Sequence, residues 1–261
     1  MSAKVVRKTA TCQSLVLGSD AKDGDDDDDE ARRDADLNAR DQDTTFTHAS
    51  ICRQPKAVPG FPTSSYAKID VPPELKERLW RFYRSNARTV EDYPPRSTGI
   101  NVHLVNTTMV NFDFDRTERD IIASQYIQPL VEEWANQGEL VHTSFYGVRE
   151  YHRGHELRMH VDRVATHVFS VIINLHQEEV DEPWPLDVID FDGSKKSVFL
   201  DPGQMLFYQS AKLVHGRPRP FNGSLYVNCF CHFKPQDWPY EYGLGDILYH
   251  NGTPLVDYKV D

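Results

Sequence analysis

The chain has 261 residues, 39% of them hydrophobic and 11% aromatic, which is enough apolar material for one sizeable core. Its 29 Lys+Arg against 40 Asp+Glu leave a formal charge of −11, which argues against a nucleic-acid partner held by bulk phosphate attraction. Four cysteines without a C-x-x-C are too few for a disulfide scaffold, and no apolar stretch has the length of a signal segment or bilayer span, so the sequence reads as cytoplasmic with no membrane partner.

Residues 1–50 hold 7 Lys+Arg and 12 Asp+Glu, including the run Asp25–Glu30, with no apolar periodicity. Such a segment buries too little to offset its ordering entropy, so it is expected to be a disordered acidic tail. Residues 51–261 are expected to form a single domain. Its first stretch, Pro55 to Pro73, reads as a Pro- and Ser-rich linker. Helical support follows over about 72–138. Leu75, Leu79, Trp80 and Phe82–Tyr83 keep helical spacing after a proline start, and Ile121, Ile122, Tyr126, Leu130, Val131 and Trp134 form a second stripe that Gly138 ends.

After Gly138 the period changes to that of short strands, at 140–150, 156–161, 166–176, 186–191, 197–200, 204–209 and 224–233, punctuated by glycines and prolines. Helices followed by a run of short strands predict an α+β fold with a jelly-roll core over about 139–235, and a C-terminal extension over 236–261. Cys229 and Cys231 alternate within an apolar strand and read as core thiols.

The chemistry-bearing pattern is His160-Val161-Asp162 together with His215. Residues i and i+2 of an extended chain face one side, so His160 and Asp162 can aim at one point, and a sandwich can return His215 to it. Two imidazoles and a carboxylate on one face are the ligand set of non-haem Fe(II) oxygenases, and a cupin with another metal has the same donors. The zinc-protease reading of HELRMH fails, because its two histidines are five residues apart and an i, i+4 pair is needed.

The stretch FYGVREYHRGHELRMHVDR resembles the approach to the H-x-D motif in the 2-oxoglutarate/Fe(II)-dependent dioxygenase superfamily, with Tyr151, Gly154, Leu157, His160 and Asp162 in matching places. VFLDPGQMLFYQSAKLVHGRPRPFNGSLYVNCF is similar to the distal segment of its prolyl 4-hydroxylase-like branch, through Pro202, Gly203, Phe207, His215, Pro218 and Gly223. The likeness spans about residues 146–235. It implies a double-stranded β-helix with iron on His160, Asp162 and His215. It further implies 2-oxoglutarate as cosubstrate, O2, ascorbate as a reductant, and hydroxylation of a peptidyl (prolyl-like) or small-molecule substrate.

One position departs from that pattern. The branch carries a Lys or Arg about ten residues after the distal His, for the far carboxylate of 2-oxoglutarate, and here Leu225 stands there. A shielded carboxylate needs charge-assisted partners. Arg217 shares strand parity with His215 and is the first candidate, with Arg219 and the hydroxyls of Tyr151, Ser224 and Tyr226 as the others. The alternatives to catalysis with 2-oxoglutarate are a metal-binding sensor or interaction module on the same fold, and a cupin-like metalloenzyme that does not use it. His167 and His232 read as flanking or satisfied buried histidines. Asn174 and Asn228 interrupt apolar strands and, as buried amides, need partners.

Overall fold

The computed structural model describes residues 49–91, 101–102, 107–112, 115–240, 249–250 and 253–254. The acidic run Asp25–Glu30 and the rest of the expected tail up to residue 48 lie outside them. The chain enters through a π-helical turn (Ala49–Arg53) and a short helix, α1 (Gln54–Ala57). The expected linker is partly structured: β1 (Tyr66–Asp70) pairs with β10 (Gln204–Tyr208) at the edge of the larger sheet.

Helix α2 (Pro73–Ser85) starts on a proline and buries Leu75, Leu79, Phe82 and Tyr83, as its spacing predicts. The second helical stretch is broken in register. Asp115 caps α3 (Arg116–Ile121) by accepting from the Glu118 N–H, a π-helical turn (Ile122–Ile127) follows, and α4 (Gln128–Ala135) completes it. The cause is Pro129, which has no N–H to give the preceding turn, and Gln128 donates instead to the Ala123 carbonyl five residues back. The extra residue rotates the buried stripe onto Ile122, Ala123, Ile127, Val131 and Ala135, and leaves Tyr126, Leu130 and Trp134 half-buried. The stop is Asn136, in the left-handed conformation at φ 51°, two residues before Gly138.

Within the expected helical support lie three strands, β2 (Arg88–Glu91), β3 (Asn101–Val102) and β4 (Thr107–Asn111). The rest run in order as β5 (Leu140–Tyr151), β6 (Glu156–His160), β7 (Phe169–Val180), β8 (Leu186–Ile189), β9 (Lys195–Val198), β10, β11 (Val214–Arg217) and β12 (Gly223–Pro235). A two-residue pair, β13 (Tyr249–His250) and β14 (Thr253–Pro254), lies in the C-terminal extension. Among the described residues all ladders are antiparallel. Seven strands form one sheet, β1-β10-β7-β12-β5-β4-β2, and five form the other, β3-β6-β11-β8-β9.

The α+β jelly roll with supporting helices is thus the observed fold. Alternation along the central strands separates two apolar layers. Val171, Ile173, Met205, Phe207, Val227, Cys229 and Phe233 face the helices, and Ile172, Leu206 and Tyr208 face the smaller sheet. Both core thiols are free and buried on the helix side, where burial pushes their titration up.

Candidate metal centre and cavity

The site lies between the sheets, where β6 and β11 pair. His160 stands opposite His215 in that ladder, with ring centroids 4.3 Å apart. Asp162 lies just beyond the strand end, where its N–H donates to the Ser210 carbonyl at 2.9 Å and carries the i, i+2 sidedness past β6. One ligating atom from each of His160, Asp162 and His215 lies within 4.8 Å of the others. His160 Nε2 is 3.5 Å and His215 Nε2 is 3.7 Å from Asp162 Oδ1.

The donor set fits a divalent ion. Each ring has its Nδ1 on a backbone carbonyl, His160 on Arg158 at 2.7 Å and His215 on Leu213 at 2.8 Å. A carbonyl only accepts, so both Nδ1 atoms carry a proton, and the Nε2 atoms are the ring nitrogens left to meet an ion beside Asp162. Burial opposes ionisation of Asp162, but the surrounding imidazoles of His215, His160 and His232 hold its carboxyl far below the ordinary range. Burial, and then the neighbouring His160, lower His215 to about 4, so it is neutral at pH 7.

A polar network holds the other carboxylate oxygen. Ser170 Oγ donates to Asp162 Oδ2 at 3.2 Å and also contacts Ser210 Oγ at 2.5 Å and His232 Nδ1 at 2.7 Å. His232 stacks on His167 at 3.8 Å. Gln54, in α1, donates its amide to the Asp162 and Ala211 carbonyls at 2.7 and 2.8 Å.

A cavity of about 320 Å³ opens on the cluster. Tyr151 lines it, as expected. Arg217 is buried on the same face of β11 as His215, between the rings of Trp184 and Tyr226 at 4.7 and 4.9 Å. It donates to the Trp184 carbonyl and, at 3.4 Å, to the Tyr226 hydroxyl, and no carboxylate pairs with it among the described residues. Ser224 is not brought to the cavity, because its hydroxyl donates to the Glu178 carbonyl on the outside. Leu225 packs on the helix-side layer, one residue out of phase with the interior face, so no side chain at 225 reaches the cluster.

Three contributors went unmarked in the sequence. Ser170 and Gln54 carry no local signal, because their partners are 8 and 108 residues away. Arg149 lines the cavity, and its parity with Tyr151 in β5 was the available clue.

No family model matches the chain, and no curated protein matches it. Among solved structures it is similar to an oxidoreductase of the 2OG-Fe(II) oxygenase family from Burkholderia pseudomallei, at 11% identity and TM-score 0.50, over 68% of this chain and 87% of that one. It is also similar to AviO1 from Streptomyces viridochromogenes Tue57 (18% identity, TM-score 0.49, 71% and 96% covered) and to a Pseudomonas putida prolyl-4-hydroxylase (14%, 0.47, 67% and 94%). At such identities the likeness is one of fold, and the Burkholderia structure carries it. Fold and site define the class: a double-stranded β-helix like that of the 2-oxoglutarate/Fe(II) oxygenases, with a His-Asp-His cluster able to hold a metal ion.

Proposed function

We propose that the protein is a 2-oxoglutarate- and Fe(II)-dependent dioxygenase that hydroxylates an unactivated C–H bond of a small-molecule or peptidyl substrate. The observation that carries this is the pairing of His215 and Arg217 on one face of β11: one side chain joins the metal-ligand cluster, and two residues along a buried guanidinium has no acid partner among the described residues. A buried cation without a counter-ion is costly, and a dicarboxylate bound beside the cluster removes that cost.

His160, Asp162 and His215 would hold the ion. When bound, Fe(II) with 2-oxoglutarate and O2 supplies the oxidising power for C–H hydroxylation. The chain's own residues do the rest. The Arg158 and Leu213 carbonyls fix both imidazole tautomers, and Ser170 orients Asp162. Arg217, steadied by Trp184 and Tyr226, anchors the far carboxylate of the cosubstrate. The aromatic cluster of Tyr151, Trp184, Phe221 and Tyr226 keeps that end dry, which strengthens the ion pair. Leu225 lends no weight to a sensor that has lost its cosubstrate, because position 225 faces the helices.

The test is an anaerobic titration of the Fe(II)-loaded protein with 2-oxoglutarate. A weak visible charge-transfer band that saturates at one equivalent is the expected result. An iron-replete protein that never develops the band sinks the reading and leaves a metal protein of another kind.

A further inference from the structure

The end of the cavity away from Arg217 is shaped as a slot. On β12, Tyr226 lies beside Arg217, and His232 lies six residues further on, roughly 20 Å away at the rise of a strand. The β6–β11 ladder runs the same way: Leu157 stands opposite Arg217, His160 opposite His215, and Asp162 follows. The ligand cluster therefore sits between two ends. One is the aromatic box around Arg217, and the other holds Tyr146, His167 and His232, which all line the cavity.

Tyr146 owes its place to a bulge in β5. Phe145 pairs with Cys231 and Val148 with Cys229, so Tyr146 and Gly147 together face the single residue Phe230. The bulge needs a glycine, because a Cβ at Gly147 (φ 151°) would collide with the Val110 carbonyl oxygen of β4. Bulges beside sites re-aim a side chain, and this one leaves a large aromatic ring 54% exposed at the cavity mouth. Its centroid is 6.5 Å from that of His167, with the planes 38° apart. Two stacking contacts of about 3.5 Å each need about 7 Å, so a small turn of the exposed tyrosine admits one flat ring between them. His167 is backed by His232, stacked on it at 3.8 Å, so Tyr146 is the wall that moves.

The slot also makes one polar demand. His232 is only 6% exposed, and its Nδ1 is 2.7 Å from Ser170 Oγ. Ser170 gives its only proton to Asp162, so Nδ1–H of His232 is the donor between them and Nε2 keeps its lone pair. That nitrogen has no hydrogen-bond partner among the described residues, although the ring lines the cavity. Buried acceptors are normally met. Among the described lining residues Asp162 is the only acid, and it belongs to the ligand cluster, so a cationic substrate finds no counter-ion here.

We propose that this slot recognises an uncharged aromatic ring carrying a hydroxyl or N–H donor, as in a phenol or an indole. The ring lies between Tyr146 and His167, and its donor meets His232 Nε2. A carbon attached to the ring then faces the ligand cluster, because His232 Nδ1 is 3.9 Å from Asp162 Oδ2. Prolyl and sugar rings are puckered and have no flat face to fill the slot.

The inference rests on the proposed function, and the experiment keeps the two apart. Protein loaded with Zn(II), which does not turn over, and saturated with 2-oxoglutarate is titrated by ligand-observed NMR. The probes are para-cresol, its methyl ether, skatole, N-methylskatole, cyclohexanol, N-acetylprolinamide and methyl glucoside. Cresol or skatole should bind, with its methylated form at least about threefold weaker and cyclohexanol at least about fivefold weaker. Tyr146→Ala should weaken that ligand at least about fivefold, and Tyr146→Phe, which keeps the ring, should hold it to within about twofold of the parent. His232→Phe keeps the stack without the acceptor, so the ligand and its methylated form should bind it equally. If that variant loses its zinc, the parent's preference for the unmethylated form decides the point. Four results each overturn the proposal: neither cresol nor skatole binds, the methylated form binds the parent equally well, a non-aromatic probe binds as tightly, or Tyr146→Ala leaves the affinity unchanged. A parent that takes no 2-oxoglutarate refutes the proposed function instead, and the same titrations on the Zn(II) protein alone still decide the slot.

Discussion

At the scale of single residues, the proposed function divides the site into side chains that would hold an ion, one that would orient a ligand and one that would bind the cosubstrate, and each proposed role has its own measurable signature. His160→Ala, Asp162→Ala and His215→Ala each remove one of three donors, and among the described residues no fourth ligand belongs to the cluster. Each should lose stoichiometric metal, read by elemental analysis after gel filtration, while circular dichroism stays as in the parent. Metal content equal to the parent in all three would refute the ligand set. Ser170→Ala should be milder. It removes the donor to Asp162 Oδ2 but leaves the ligands, so a loss of about tenfold in metal affinity is expected, at the lower end for partners that orient a ligand. Arg217→Ala should show the opposite pattern. Losing a charge-assisted contact in a shielded pocket costs about 1.5–3 kcal/mol, so the dissociation constant for 2-oxoglutarate should rise on the order of ten- to a hundredfold with metal affinity nearly constant. A constant that does not move removes Arg217 from the site and leaves Tyr151 and Tyr226.

At the scale of elements, the two ligand-bearing strands need one glycine. A Cβ at Gly216 would lie 2.7 Å from the Arg158 carbonyl oxygen and 2.8 Å from Met159 N, both backbone atoms of β6. Gly216→Ala must therefore push β6 away from β11. The same Arg158 carbonyl fixes the His160 ring, and His160 pairs with His215 in that ladder, so the displacement falls on the cluster itself. The expected outcome is a drop in metal affinity of at least tenfold. Gly193→Ala, in a turn at φ 79° with open space around its Cβ, brings backbone strain without a clash and should keep its metal. Equal metal affinity in both variants would contradict the argument. Neither the need for Gly216 nor the β6–β11 register is visible in the sequence, because both arise from a contact between segments 55 residues apart. What was legible was local: the strand period after Gly138, the helical spacing of Leu75, Leu79 and Phe82, and the parity that joins His160 to Asp162 and His215 to Arg217. What escaped depended on tertiary partners. β1 looked like linker because an edge strand is half-exposed and its apolar alternation is weak, with the burial running from half-buried to exposed. The buried stripe of the second helix slipped by one residue because Pro129 forces a π turn that a strict 3.6 period does not anticipate. Leu225 looked like a lost anchor because counting residues from His215 takes no account of which face β12 presents.

At the scale of the whole molecule, the segment before the first strand closes the site from outside, and the buried histidines set how the fold responds to acid. Ile51 and Cys52 are buried against Val161, just past β6, and Val214, at the start of β11, and Gln54 reaches the Asp162 carbonyl. A chain beginning at residue 59 should therefore bind metal more weakly and unfold at a lower temperature than one beginning at residue 49, and equal melting temperatures would contradict this. The acid response follows from burial. Burial first, and then nearby cations or imidazoles, lower His215 to about 4 and His232 to about 3, and burial also lowers His167 and His142. In the unfolded chain these rings titrate near their ordinary value of about 6.5. Between about pH 6.5 and 4 the unfolded state thus binds protons that the folded state refuses, so stability rises with pH through this window and is lost as pH falls. Each fully buried ring contributes a slope approaching about 1.4 kcal/mol per pH unit. Asp162 acts in the same direction at lower pH: its folded value is depressed, so the stability it adds is present above the ordinary carboxylate range and is lost below it. Urea unfolding of the metal-free protein should accordingly give a clearly lower midpoint at pH 5.5 than at pH 7.5, with an unchanged slope in denaturant. A midpoint that is equal or higher at pH 5.5 would mean that these rings accept protons inside the fold, and that the dry, neutral imidazole cluster described here is wrong.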